Sequence, residues 1–184
     1  MIMALAGRRI DDAHGDTVHF PLANVEFVRG KIADLFARQH VSALVSSASC
    51  GADLVALEAA KTLGIRRFVV LPFAREVFRK TSVVDRPGEW GPIFDRVLDD
   101  VEVAGDVFDL GLDPKTSTAY ALANGAILDE TVGLAAESHQ PAGVLLVWDG
   151  PRGEGDITAN LRNDAILRGL QLFEIRTLRE EIAR

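Results

Sequence analysis

Residues 41–73 read VSALVSSASCGADLVALEAAKTLGIRRFVVLPF. Positions 41–46 are apolar almost throughout, the pattern of a strand covered on both faces. A run of small residues and hydroxyls over 46–53 follows, and it leads directly into Leu54, Leu57, Ala60 and Leu63 at helical spacing. Gly64 stands where such a helix would end, and a second apolar run at 68–71 completes a strand, helix, strand unit. That unit predicts parallel strands, since a helical crossover returns the chain to run in the same direction.

The same alternation extends outward in both directions. Further apolar runs at 2–6, 107–110, 144–148 and 172–175 read as strands, and Val25, Val28, Ile32, Leu35 and Phe36 form a helical stripe. Ile93, Phe94, Val97, Leu98 and Val101 form another, and helices are predicted over 117–137 and 158–170, the latter closed by Gly169. The expected fold is a single α/β domain over 1–184: a Rossmann-like, mostly parallel sheet with helices on both faces. Residues 74–91 form the longest irregular connection, the kind of segment that serves as a lid or binding loop.

Hydrophobic residues make up 48% and charged residues 26%, which is globular usage. With 20 Lys and Arg against 27 Asp and Glu the net charge is −7, the wrong sign for gripping nucleic acid mainly through its phosphates, so a nucleic-acid partner is not expected. Cys50 is the only cysteine, which rules out an intrachain disulfide; no Cys/His spacing suggests a metal, and a reducing cytoplasm fits. No run is long enough to span a bilayer, and residues 1–6 lack the basic leader of a signal peptide, so no membrane association is expected. No cofactor is expected either.

In an open parallel sheet, ligands bind beyond the carboxyl ends of the strands. After the first strand comes Gly7-Arg8-Arg9-Ile10-Asp11-Asp12, where the guanidinium groups either take phosphate oxygens or are solvated surface arginines. After the second come Ser46, Ser47, Ala48, Ser49, Cys50, Gly51, Ala52 and Asp53. They form either a phosphate cradle of free backbone N–H groups at a helix start or a turn capped by Asp53 or Ser49. After the fifth, Asp149-Gly150-Pro151-Arg152-Gly153-Glu154-Gly155-Asp156-Ile157-Thr158 is a second glycine-rich approach to a helix, and here the functional reading leads.

The third strand runs into Leu71-Pro72-Phe73, then Arg75, Phe78, Arg79, Lys80, Thr81 and Ser82, a basic and aromatic segment able to close over a ring and a phosphate or to anchor the loop. Tyr120 and Asn124, four positions apart, share a helix face that could meet a base or sugar. Glu58 is a candidate for binding a hydroxyl or serving as a base, or pairs with Lys61 one turn on. The four histidines, His14, His19, His40 and His139, show no catalytic or metal-binding spacing.

Taken in order, Gly7-Arg8-Arg9-Ile10-Asp11, then Gly51-Ala52-Asp53-Leu54-Val55-Ala56-Leu57-Glu58-Ala59-Ala60, then Leu71-Pro72-Phe73 with Phe78, Ser82-Val83 and Trp90, then Tyr120 with Ala123-Asn124 and Ile127-Leu128, resemble the SLOG superfamily. This superfamily groups Rossmann-like ligand-sensing domains with the LOG nucleosidases and the DprA proteins. The resemblance implies a nucleotide or nucleotide derivative bound by Gly7, Arg9, Gly51, Asp53, Glu58, Gly153, Gly155, Asp156 and Thr158, and the residue reading adds Ser47, Phe73, Tyr120, Asn124 and Asp149 as candidate ligand-binding residues. LOG enzymes carry Pro-Gly-Gly-x-Gly-Thr-x-x-Glu. This chain has Arg152-Gly153-Glu154-Gly155-Asp156-Ile157-Thr158-Ala159-Asn160, with the double glycine broken and no final glutamate, so no catalytic residue is transferred.

The expected function is therefore a binding or sensor domain for a nucleotide-derived ligand at the carboxyl ends of the strands. One alternative is a LOG-like phosphoribohydrolase that cleaves an N-glycosidic bond, for which Asp53 and Glu58 are the candidate carboxylates. A second is a DprA-like binder of single-stranded DNA, for which only Arg75, Arg79, Lys80 and Arg86 make a basic cluster. The resemblance also implies a homo-oligomer.

Overall fold

β1 (Ile2–Gly7) lies at the middle of the sheet, flanked by β2 (Ala43–Ser46) on one side and β5 (Ala142–Trp148) on the other. With β3 (Arg66–Leu71), β4 (Val107–Asp109) and β6 (Gln171–Arg176), the spatial order is β4-β3-β2-β1-β5-β6, and every pairing is parallel. The computed structural model describes residues 1–153 and 155–179; Glu154, named above in the glycine-rich loop, lies outside the described residues.

Strand alternation divides the core into two layers. Met3 and Leu5 of β1 point with Leu44, Val69, Leu145 and Val147 to one face, covered by α1 (Val25–Arg38), α2 (Ala52–Thr62) and α4 (Trp90–Val103). Ile2, Ala4 and Ala6 point with Val45, Val70, Val144 and Leu146 to the other, covered by α5 (Ala119–Ser138) and α6 (Ile157–Leu167). This two-sided burial is the physical reason the central strands are apolar throughout. Among the described residues no helix is long and apolar enough to cross a membrane.

The stretch expected as irregular, 74–91, instead contains α3 (Arg75–Ser82) and the start of α4. This helix is tied to α4 by ion pairs: Arg79 grips Asp95 bidentately at 2.8 and 2.9 Å, and Arg75 reaches Asp99 at 2.7 Å and Glu102 at 2.9 Å. The basic cluster read from the sequence is thus largely neutralised from within. Gly64 and Gly169 close α2 and α6 with φ of 69° each, as their positions in the sequence predicted.

Candidate functional site

The chain order reverses between β1 and β5, and their carboxyl ends open into two adjoining cavities of about 580 and 290 Å³. The outer, larger one is lined by ionisable side chains including Arg9, Asp12, His19, Arg86 and Arg152, and by Gly155, among others. The inner slot is lined by Leu5, Ser47, Asp53, Phe78, Tyr120 and Asn124, among others. Gly7, Arg9, Ile157 and Thr158 border both, so the two form one cleft.

The two arginines after β1 have opposite fates. Arg8 turns inward, only 6% exposed, and donates to Asp149 from Nε at 2.6 Å, to both Asp156 oxygens at 2.8 Å, and to the Gly150 carbonyl. It is not a solvated surface residue but a clamp joining the β1 loop to the β5 loop. Arg9 points to the cleft and pairs with Asp85.

Asp156 caps α6: its Oδ1 accepts from the N–H groups of Thr158 at 3.0 Å and Ala159 at 3.2 Å, and its Oδ2 from Arg152 N–H at 2.9 Å. Burial raises the cost of its charge, yet Arg8 and these N–H groups more than offset that, and its acid is lowered to about 2. The start of α6 is therefore occupied by the protein's own carboxylate. Gly153 and Gly155 keep φ of 100° and 81°, and a side chain at either would meet nothing within 4 Å; only Gly155 borders a cavity.

The start of α2 is also largely satisfied from within. Ala52 N–H donates to the Arg8 carbonyl at 3.0 Å and Cys50 N–H to the Ser82 carbonyl at 3.0 Å. Gly51, with φ of 98°, lies so close to the β1 loop that a Cβ would stand 2.6 Å from the Arg8 carbonyl oxygen. It joins two loops and does not line the cleft. Cys50 is wholly buried, and burial pushes its thiol up despite the opposing pull of Arg9, which leaves it an inert core residue.

Asp53 does reach the inner slot. It is 5% exposed, and its Oδ2 accepts from Ser49 N–H at 3.1 Å and Ser49 Oγ at 2.7 Å. Among the described residues none donates to Oδ1. Burial pushes the acid up to about 6, against the opposing Ser49 hydrogen bonds and the Arg9 charge. Tyr120 and Asn124 border the same slot, as their spacing implied: Tyr120 Oη and Ser82 Oγ share a hydrogen bond of 2.9 Å, and Asn124 Nδ2 donates to the Ile157 carbonyl at 2.9 Å. Phe73 lies beneath, its ring edge-on to Tyr120 at 5.7 Å, and supports the wall without lining it.

Glu58 is not brought to the cleft, and its partner is not Lys61: its Oε2 accepts from Arg96 on α4 at 2.8 Å, while Lys61 pairs with Asp100. Asp149 is engaged by Arg8 and by His19, whose Nδ1–H donates to Oδ2 at 2.6 Å. Burial works against the Asp149 charge, but these two donors hold its carboxyl below the usual range. His19, Ser49, Ser82, Arg86 and Arg152 border the cleft without having been singled out as site residues from the sequence. For Ser49 its place in the loop after β2 was a usable signal; for His19 there was none.

No family model and no curated protein matches the sequence. Among solved structures the chain is similar to DNA processing protein A (DprA) from Streptococcus pneumoniae, with a TM-score of 0.43 and 16% identity over 93% of this chain and 57% of that one. It is also similar to the Moco carrier protein from Chlamydomonas reinhardtii, with a TM-score of 0.34 and 17% identity over 95% of this chain and 89% of that one. The chain thus spans little more than half the length of the DprA chain.

Proposed function

We propose that the chain is a binding domain for a nucleotide or nucleotide-derived small molecule, of SLOG type, with the ring in the inner slot and the phosphate end in the outer cavity. The observation that carries this reading is the junction of a mostly apolar slot, walled by Phe78 and Tyr120, with a larger cavity bordered by Arg9, Arg86 and Arg152. A flat apolar ring and a charged tail on one molecule match that division. Asp53 Oδ1 is the acceptor for a ring N–H or a ribose hydroxyl, and Asn124 and Thr158 supply further polar contacts at the slot. With the start of α6 capped by Asp156 and the Ala52 N–H of α2 taken by the Arg8 carbonyl, phosphate recognition falls to guanidinium groups, above all Arg152, whose nearest carboxylate among the described residues is Asp149 at 3.7 Å.

Thermal unfolding against nucleoside monophosphates, the matching nucleosides and inorganic phosphate tests this directly. At a hundredfold excess over Kd, binding to the folded state contributes about 2.7 kcal/mol. For a domain of this size that is roughly 5–10 °C in Tm. Shifts with the monophosphates that exceed those with either half alone are expected; no shift with any of them overturns the reading. Affinity should also fall as pH drops through about 6, because protonated Asp53 no longer offers a charged acceptor.

A further inference from the structure

His19 is fixed on the wall of the outer cavity through both its backbone and its ring. Its backbone N–H donates to Asp11 at 3.0 and 3.1 Å, its carbonyl accepts the Thr177 hydroxyl, and its Nδ1–H donates to Asp149 at 2.6 Å. These ties leave Nε2 as the lone-pair nitrogen, without a protein partner among the described residues and not sealed from solvent. Asp149 is in turn locked by Arg8 at 2.6 Å, and Arg152 Nε stands 3.7 Å from the same Asp149 oxygen. One carboxylate therefore orients an imidazole in a single tautomer and gathers a guanidinium beside it.

We propose that His19, oriented by Asp149, is a general base that acts with Arg152 to hydrolyse the terminal phosphoric anhydride of a nucleoside di- or triphosphate. The proposal takes its ligand from the nucleotide reading above and adds a reaction to it. The base lies in the outer cavity, on the side assigned to the phosphates and away from the slot assigned to the ring, so the reacting atom is phosphorus. Water gives a proton to Nε2 as its oxygen bonds to the terminal phosphorus. The bond from that phosphorus to the bridging oxygen breaks, and the bridging oxygen keeps the electron pair. The products are orthophosphate and the nucleotide shortened by one phosphate, and the proton leaves Nε2 for solvent. Arg152 stabilises the charge on the phosphoryl oxygens during transfer.

The test incubates the full chain with ATP, with ADP, and separately with inorganic pyrophosphate, which needs only the outer cavity, and follows orthophosphate release and calorimetric binding. His19→Asn keeps a donor to Asp149 and removes Nε2; release should fall by about a hundredfold or more while affinity changes little. Asp149 is a positioning residue. Asp149→Asn, which keeps the shape of the side chain, should lower kcat while KM changes little. Arg152→Lys should retain part of the rate that Arg152→Ala loses.

Nucleotides bound without phosphate release overturn this proposal and leave the binding reading intact. Pyrophosphate cleavage without nucleotide binding overturns the binding reading and, with it, the nucleotide as the substrate proposed here. Release unchanged in folded His19→Asn removes the base assignment, and a chain that neither binds nor cleaves overturns both.

Discussion

Replacing Asp53 by Asn should stabilise the empty protein near neutral pH while weakening ligand binding. The Asp53 carboxyl is 5% exposed and its acid is raised from 3.8 to about 6, mainly by burial. A raised acid means that the folded state holds the proton more tightly than the unfolded one. Its contribution to stability is therefore full below pH 3.8 and is lost as pH rises through about 6. At about 1.4 kcal/mol per unit, the ionised carboxylate costs roughly 3 kcal/mol at pH 7.5 and about 1 kcal/mol at pH 4.5. Asn removes this titration and still offers Ser49 an acceptor. Urea unfolding at the two pH values should show the advantage of Asp53→Asn growing by about 2 kcal/mol between pH 4.5 and 7.5. An advantage that does not change with pH, or that shrinks toward pH 7.5, refutes the reasoning. A carboxylate kept at such a cost is the stability sacrifice expected of a binding group.

Arg8→Met should destabilise by about 3–5 kcal/mol, because it strands Asp149 and Asp156. Asp156 is a lowered acid, so the stability it gains from Arg8 is present above pH 3.8 and lost as pH falls toward 2; the penalty measured by urea unfolding should shrink over that window. Gly51→Ala should cost more than Gly155→Ala in Tm, since only the former sets a Cβ against backbone, at 2.6 Å from the Arg8 carbonyl oxygen; equal costs would contradict the described loop contact. The homo-oligomer implied by the family resemblance is read by sedimentation velocity at micromolar concentration, where a dimer is expected and a monomer refutes it.

The strands were legible because each central one is buried on both faces, and that demand leaves an apolar run in the sequence. Helix α3 was not. Its eight residues carry only Val77 and Phe78 as apolar markers, too short a stretch for periodicity to show, and it is held by ion pairs to Asp95, Asp99 and Glu102 of α4. Loops at strand ends border the cleft, and the helix face shared by Tyr120 and Asn124, legible from their spacing, lines its inner slot. Which of two adjacent arginines turns inward is a tertiary matter, invisible in Arg8-Arg9. Local spacing also misdirected the partner of Glu58, which is Arg96, 38 positions away. The pairing of His19 with Asp149 spans 130 positions, so no motif could carry it. The glycines after β5 marked a backbone free to wrap a ligand, and Asp156 at the end of that loop caps the helix start.

The most direct measurement is a crystal structure of the chain with a nucleoside monophosphate at saturating concentration. The cleft predicts the ring in the inner slot beside Phe78 and Tyr120, with a polar ring or sugar atom within hydrogen-bond distance of Asp53 Oδ1 and the phosphate against Arg152 in the outer cavity. A nucleotide bound elsewhere, or both cavities holding only solvent at saturation, contradicts it.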